Sequence, residues 1–328
     1  MKTKKELKQY YETKILPELI IIEEQRKKIK SKLILSIFIA VLLFIISFVI
    51  IVKFSLGLFL LIIPLSISFV IFFGFYSSFY KGFADEFKDK VIRKIIEFIE
   101  PGLTYDKNSF IPKADFVNSK IFNQSAEYYH GDDLVSGIIG KTELRFSEIN
   151  AKHVEQTGHS RETGSGREKE TRTYPIFKGL FFMADFNKNF KGSTLVLPDT
   201  AEKLFGRLGQ KLQSMNVGRG QLIKLEDPQF EKMFVVYSED QIESRYILSA
   251  SLMKRLVDFK EKTNKDVFIS FVASKVYIAI SYNRELFEPG LFKTLIDFVQ
   301  IQEYFEDLQI AVGIVEDLNL NTRVWSKQ

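Results

Sequence analysis

From Leu33 to Tyr80 the chain runs 48 residues with one charged side chain, Lys53. Lys53 divides the run into Leu33–Val52 and Leu56–Phe75, each 20 residues long. An α-helix rises about 1.5 Å per residue, so about 20 apolar residues cross a bilayer core, and the run has the length of two crossings. A lysine at the bilayer centre costs about 2.5–3.5 kcal/mol on insertion scales. Lys53, Phe54 and Ser55 are therefore placed at the tip of a transmembrane helical hairpin. Gly57, Ser66, Ser68 and Gly74 are small enough to let two helices approach. Pro64 predicts a kink, because its ring deprives the Leu60 carbonyl of a partner. Neither span holds an ionisable group, which favours anchoring over a transport pathway.

The flanking segments carry helical periodicity. Residues 3–32 read as a helix with Leu7, Tyr10, Tyr11, Ile15, Leu19, Ile20 and Ile22 on an irregular apolar face and a bend at Pro17. That face can pack on a folded domain or lie on a membrane, and the residues leave both open. Beyond the second span, Phe83, Phe87, Val91, Ile92, Ile95, Ile96 and Ile99 repeat at helical spacing, and Pro101-Gly102 ends the pattern.

From Asp132 the pattern becomes mostly extended. Strands are predicted over 134–140, 142–155, 174–186, 193–197, 221–225, 232–237, 267–272 and 276–282. A phase slip between Leu144/Phe146 and Ile149/Ala151 predicts a bulge near Ser147. Residues 156–173 contain no hydrophobic side chain and read as a flexible loop. Asp199 with Glu202 reads as the start of a helix through Leu204, Phe205 and Leu208. Ser249–Thr263 is predicted helical with Asn264 closing it in the left-handed conformation. The three residues Ala273-Ser274-Lys275 demand antiparallel pairing of their flanking strands. A last helix is predicted from Leu291 to about Glu316, with Phe292, Leu295, Ile296, Val299, Phe305 and Leu308 facing a core.

Charge changes the picture at one place. Of 46 Lys+Arg and 41 Asp+Glu, residues 1–32 carry 10 and 5, leaving 36 and 36 for the remainder. The basic excess sits before the first span, and a neutral remainder argues against nucleic-acid binding. Arg26, Lys27, Lys28, Lys30 and Lys32 form a membrane-surface basic cluster directly before the first span. Such clusters mark the cytoplasmic side and gain about 1 kcal/mol per cation from anionic lipid headgroups. Lys81, Lys88, Lys90, Arg93 and Lys94 follow the second span, so both termini are expected to be cytoplasmic.

Candidate chemistry is sparse. The absence of cysteine excludes disulfides and thiolate sites. GxSxG, HExxH and P-loop spacings are absent, and the glycine-containing stretches Gly164–Arg167 and Gly206–Lys211 lack phosphate-loop spacing. Of three histidines, His130, His153 and His159, His159 lies in the polar loop and His153 near a strand end, so a shared metal site would require a coincidence of folding. Asp132 and Asp133 beside His130, with Glu148 further on, form a candidate acidic cluster for a divalent ion, and an Asp-rich turn before a strand accounts for the same residues. Asp227 is a fourth candidate acid, in a proline-containing turn.

The stretches YYETKILPELIIIEEQRKKI, FKDKVIRKIIEFIEPGLTY, YHGDDLVSGIIGKTELRFSEINAKHVEQT, FKGLFFMADFNKNFKGSTLVLPD and DPQFEKMFVVYSEDQIESRYILS, in this order and together with the two spans, resemble the bacterial family catalogued as domain of unknown function 3137. The resemblance implies a membrane hairpin with a large cytosolic domain and carries no catalytic residues or cofactor.

The expected architecture is α+β. It comprises a basic amphipathic helix over 1–32, a transmembrane hairpin over 33–80, an amphipathic stalk over 81–102, and a cytosolic domain over 103–328 with an antiparallel sheet and several packed helices. The expected function is a membrane-anchored binding or scaffolding protein at the inner face of a bacterial plasma membrane, with the lipid bilayer and a protein as partners, oligomer formation left open, and no cofactor or metal. The alternatives are an enzyme using Asp132, Asp133, Glu148 and Asp227 on a membrane-associated substrate, and an oligomeric channel or transport component.

Overall fold

The computed structural model describes residues 2–54, 57–163, 166–186, 188–199 and 220–321. Ser55 of the expected tip, the helix expected after Asp199 and the Gly206–Lys211 stretch lie outside the described residues. The chain divides into two compact units. One comprises Lys2–Phe98 and Phe287–Phe305, the other Ile99–Leu286 and Glu306–Gln328. The division departs from the sequence expectation at 287–305, which group with the N-terminal helices.

The first unit is built on two long helices, Lys4–Lys53 and Phe59–Ile99, each long and apolar enough to cross a membrane. The first begins with a capping box, Thr3 and Glu6 exchanging hydrogen bonds. It is continuous through Pro17 because a π-helical turn, Tyr11–Ile15, immediately precedes it and Pro17 falls in the first turn of the resumed α-helix. There its missing N–H costs nothing. Pro64 is placed in the same way, in the first turn of the α-helix Ile62–Phe87 after a 3₁₀ turn, Leu58–Leu61, so the expected mid-span kink gives way to a helix start.

Burial changes along both helices. Leu7, Ile15, Leu19 and Ile22 of the first, and Phe83, Phe87, Val91 and Ile95 of the second, are fully or almost fully buried. The apolar face of 3–32 is therefore packed inside this unit, Ile20 excepted. Tyr10 stacks on Phe98 at 4.4 Å between ring centroids. From Ile34 to Val52 and from Phe59 to Phe73 most of the large apolar side chains are exposed.

The expected last helix begins seven residues late, at Phe298 rather than Leu291. Asp297 supplies the start: its carboxylate accepts from the Val299 N–H at 2.9 Å and its carbonyl from Gln300 at 3.1 Å. The preceding residues use their backbone elsewhere, the Leu291 carbonyl on Arg26 and the Leu295 N–H on Glu23. Leu295, Phe305 and Leu308 are buried as expected, but Phe292, Ile296 and Val299 are exposed.

The second unit carries an antiparallel sheet of nine strands among the described residues: β1 Leu103–Asp106, β2 Tyr128–Ile139, β3 Thr142–Thr163, β4 Gly166–Asp185, β5 Ser193–Pro198, β6 Gln221–Ile223, β7 Phe234–Ser238, β8 Val267–Val272 and β9 Lys275–Ser281. Their order is β1-β2-β3-β4-β9-β8-β5-β7-β6. The β8–β9 hairpin turns on Ala273 and Ser274, both with positive φ, as a two-residue type I′ turn requires. Asn264 closes the helix Ala250–Thr263 with φ 49 and ψ 37. One face of the sheet packs an aromatic core in which Phe116 stacks on Phe122 at 5.1 Å and meets Phe181 at 5.2 Å.

Two expectations about β3 are corrected. The register with β4 is unbroken from Leu144 to Ala151, so β3 itself does not bulge; the irregularity near Ser147 lies in the facing strand, where Asp133 and Leu134 of β2 stand against Ser147. The change of phase arises because Phe146, Ser147, Glu148 and Ile149 are all buried, the strand being covered on both faces there. The polar stretch 156–173 is mostly strand instead of loop, with Gln156 opposite Thr171 and Thr163 opposite Gly166. An antiparallel ribbon satisfies its backbone through the ladder itself and needs no apolar side chains to do so.

Candidate functional site

Asp132 on β2 faces Glu148 on β3 in register, and the strands approach closely because residue 131 is glycine: a Cβ there would lie 2.3 Å from the Glu148 carbonyl oxygen. Immediately afterwards β2 bulges. The register with β3 shifts between Asp132 and Val135, and the N–H groups of Asp133 and Leu134 bond the carbonyls of Lys107 and Ser109 at 3.3 and 3.0 Å. Asp133 takes a left-handed φ of 59, a conformation Asp tolerates better than most residues. The bulge turns its carboxylate inward, where the Tyr105 hydroxyl donates to it. Asp132, Asp133 and Glu148 thereby each bring a carboxylate oxygen within 4.8 Å of the others.

Glu148 is the least conventional member. It is 4% exposed, and its Oε2 accepts from the Leu286 N–H at 2.8 Å. Burial pushes its carboxyl up to about 9, helped by the neighbouring carboxylates of Glu285 and Asp132. As a carboxylate its Oε1 has no donor. A proton on Glu148 supplies one, directed at Glu285, whose own charge is held by Lys178 Nζ at 2.6 Å. The cluster is thus built around a buried carboxyl group with other acids beside it, and Glu148 can keep a proton at neutral pH. Its three converging oxygens are also the donor type that a hard divalent cation takes.

The remaining candidates are placed elsewhere. His130 is exposed beside the Phe110 ring, at 5.6 Å between centroids. His153 Nδ1 lies 2.9 Å from Glu127, whose carboxyl is held down at about 2 chiefly by the Val154 N–H. The side chain of His159 lies outside the described ones. Asp227 belongs to the opposite edge of the sheet, between β6 and β7, where it caps the helix Pro228–Met233 by accepting from Gln229 and Phe230 N–H at 2.9 and 3.0 Å. With Glu226 and Arg245 it lines an open cleft. Asp227→Ala is expected to cost about 1 kcal/mol, the usual worth of an N-cap, read as a shift of the denaturant midpoint. Tyr105, Lys178 and Glu285 complete the cluster and carry no local sequence signal, since only the fold brings them to Glu148.

The basic cluster before the first span divides. Lys27 and Lys28 are exposed, Lys27 pairing with Glu24 at 2.9 Å. Lys30 and Lys32 lie over the rings of Phe292 and Phe79 at 6.0 and 4.9 Å. Arg26, expected among the surface cations, is 6% exposed and bonded through Nε and Nη2 to buried Glu23 at 2.8 and 2.7 Å. Lys53 and Phe54 are exposed at the end of the first long helix.

Residues 175–320 match a family model described as a protein of unknown function, DUF3137. The chain resembles that family. The DUF3137 match starts within β4 and ends past the helix Phe298–Asp317, so the two long helices and the acids Asp132, Asp133 and Glu148 lie outside it. Among solved structures, the crystal structure of the mycobacterial trehalose monomycolate transport factor A, TtfA, is similar at 10% identity and a TM-score of 0.32, covering 67% of this chain and 95% of that one. A likeness at that score carries no argument for this chain. No curated protein matches.

Proposed function

We propose that the chain is a membrane-anchored binding or scaffolding protein whose sheet-bearing unit works at the inner face of a bacterial plasma membrane. The observation that carries this reading is the change of burial along two continuous helices. Their flanking turns are packed, while the apolar turns of both helices present Phe38, Val41, Phe59, Ile62 and Phe69 outward. Exposed apolar surface on that scale is untenable in water and is what a bilayer core solvates. The lysines on both flanks favour a cytoplasmic location for both termini. The domain that follows binds a protein partner.

In intact cells carrying single cysteine substitutions, a membrane-impermeant thiol reagent is expected to label Ser55→Cys and to miss Ser31→Cys and Ser165→Cys until the cells are opened. Labelling of Ser165→Cys in intact cells would reverse the orientation. Extraction of the protein by alkaline carbonate would overturn anchoring altogether.

The convergence of Asp132, Asp133 and Glu148 favours a second reading, an enzyme acting on a membrane-associated substrate with protonated Glu148 as general acid. A complementing strain that tolerates Asp132→Asn together with Glu148→Gln would exclude it.

A further inference from the structure

Residues 288–293 belong to the same unit as the two long helices, and three contacts fix their height along them. Tyr80, which ends the apolar run, donates its hydroxyl to the Pro289 carbonyl at 3.1 Å. Arg26 Nη1 donates to the Leu291 carbonyl at 2.6 Å. Lys30, about 5 Å of helix rise before the run begins at Leu33, holds its ammonium 6.0 Å from the centroid of the Phe292 ring. The loop therefore stands at the level where both helices pass from packed to outward apolar surface.

At this level Phe292 is 66% exposed, whereas Leu291 and Leu295 beside it are buried at 7% and 1%. The segment is tied on both sides of the ring: Glu288 pairs with Lys88 at 2.7 Å, and the Leu295 N–H donates to Glu23 at 3.0 Å. A ring held out by a pinned loop is not there for want of somewhere to pack. The Lys30 ammonium lies over its face, and Lys293, the next residue in the chain, is exposed. An aromatic ring under a cation, at the end of an apolar span, matches the boundary between headgroups and acyl chains, where anionic phosphates meet lysines and ring faces meet methylenes.

We propose that Phe292 is an interfacial anchor that seats the 288–293 loop in the anionic headgroup layer of the bilayer crossed by the two helices. The inference rests on the membrane-anchored reading above and adds a third, non-spanning contact from the C-terminal part of the chain. It gives the packed base a fixed depth and makes that depth sensitive to anionic lipid.

The test uses the full chain in a Trp325→Phe background, Trp325 being the single tryptophan. Phe292→Trp and, as a control for the span, Leu42→Trp are each reconstituted into phosphatidylcholine vesicles with and without phosphatidylglycerol, and quenching by lipids brominated at shallow or deep acyl positions is recorded. Leu42→Trp is expected to lose emission most to deep bromines. Phe292→Trp is expected to lose it most to shallow ones, with a blue shift that grows when phosphatidylglycerol is present. A quenched Leu42→Trp beside a Phe292→Trp that emits as in water, untouched by either lipid, overturns the anchor and leaves the spans intact. Failure of both to be quenched overturns the membrane reading and the anchor with it.

Discussion

Arg26→Ala is expected to destabilise the unit formed by Lys2–Phe98 and Phe287–Phe305 by about 3–5 kcal/mol, the range for breaking a buried ion pair from one side. Glu23, 4% exposed, accepts from Arg26 Nε and Nη2, from the Leu295 N–H at 3.0 Å and from the Thr294 hydroxyl at 3.3 Å. The guanidinium beside it holds its carboxyl below the usual range against the opposing effect of burial. Removing the guanidinium leaves a desolvated carboxylate and an unpaired Leu291 carbonyl. The double replacement Glu23→Leu with Arg26→Met should recover much of the loss, because apolar groups of similar volume often substitute for a buried pair. The recovery stays incomplete, since the Leu291 and Leu295 backbone groups lose partners at about 1–3 kcal/mol each. The thermal midpoint of the full chain in mild detergent, with limited proteolysis reporting on 287–305, checks both statements. An Arg26→Ala protein that melts with the parent would show the pair to be structurally idle.

Glu148→Gln is expected to stabilise the protein at pH 8 by a few kcal/mol and to change it little at pH 5. In the folded chain Glu148 keeps its proton up to about pH 9, whereas an unfolded glutamate releases it near pH 4.3. Between those values the native state holds the extra proton, so stability is complete at low pH and declines as pH rises. One proton corresponds to about 1.4 kcal/mol per pH unit, which sets the ceiling on the slope. Glutamine keeps the volume and an acceptor for the Leu286 N–H but does not titrate. Parent and variant midpoints measured from pH 5 to 9 should therefore diverge, the parent falling more steeply. Parallel curves would show Glu148 ionised in the fold.

Elements whose periodicity is local are legible in the amino-acid sequence. The apolar faces of 3–32 and 83–99, the helix ending at Asn264 and the antiparallel pairing of β8 with β9 depend on neighbours within a few residues, where spacing and propensity act directly, although the connection is two residues and not the three expected. The polar ribbon of 156–173 is not legible there, because a ladder draws its stability from backbone pairing while sequence patterns report side-chain burial. Asp132, Asp133 and Glu148 stand out in the sequence as acids. That Glu148 is the protonated one depends on Glu285 and Leu286, which approach it from the irregular segment after β9.

The amino-acid sequence alone determined the two uncharged helical runs, the basic flanks and the position of most strands, since each follows from hydrophobic pattern and chain length. Tertiary structure decided which charges are on the surface and which are inside. Arg26 and Lys28 are both basic residues in one cluster, yet the first is buried against Glu23 and the second exposed, because residues 287–305 pack along one side of the helix. It also decided the fate of the last helix, where Phe292 was expected in a core and instead stands outward. The pull of Glu23 and Arg26 on backbone groups more than 260 residues away outweighs local helical propensity, and no reading of neighbouring residues contains that competition.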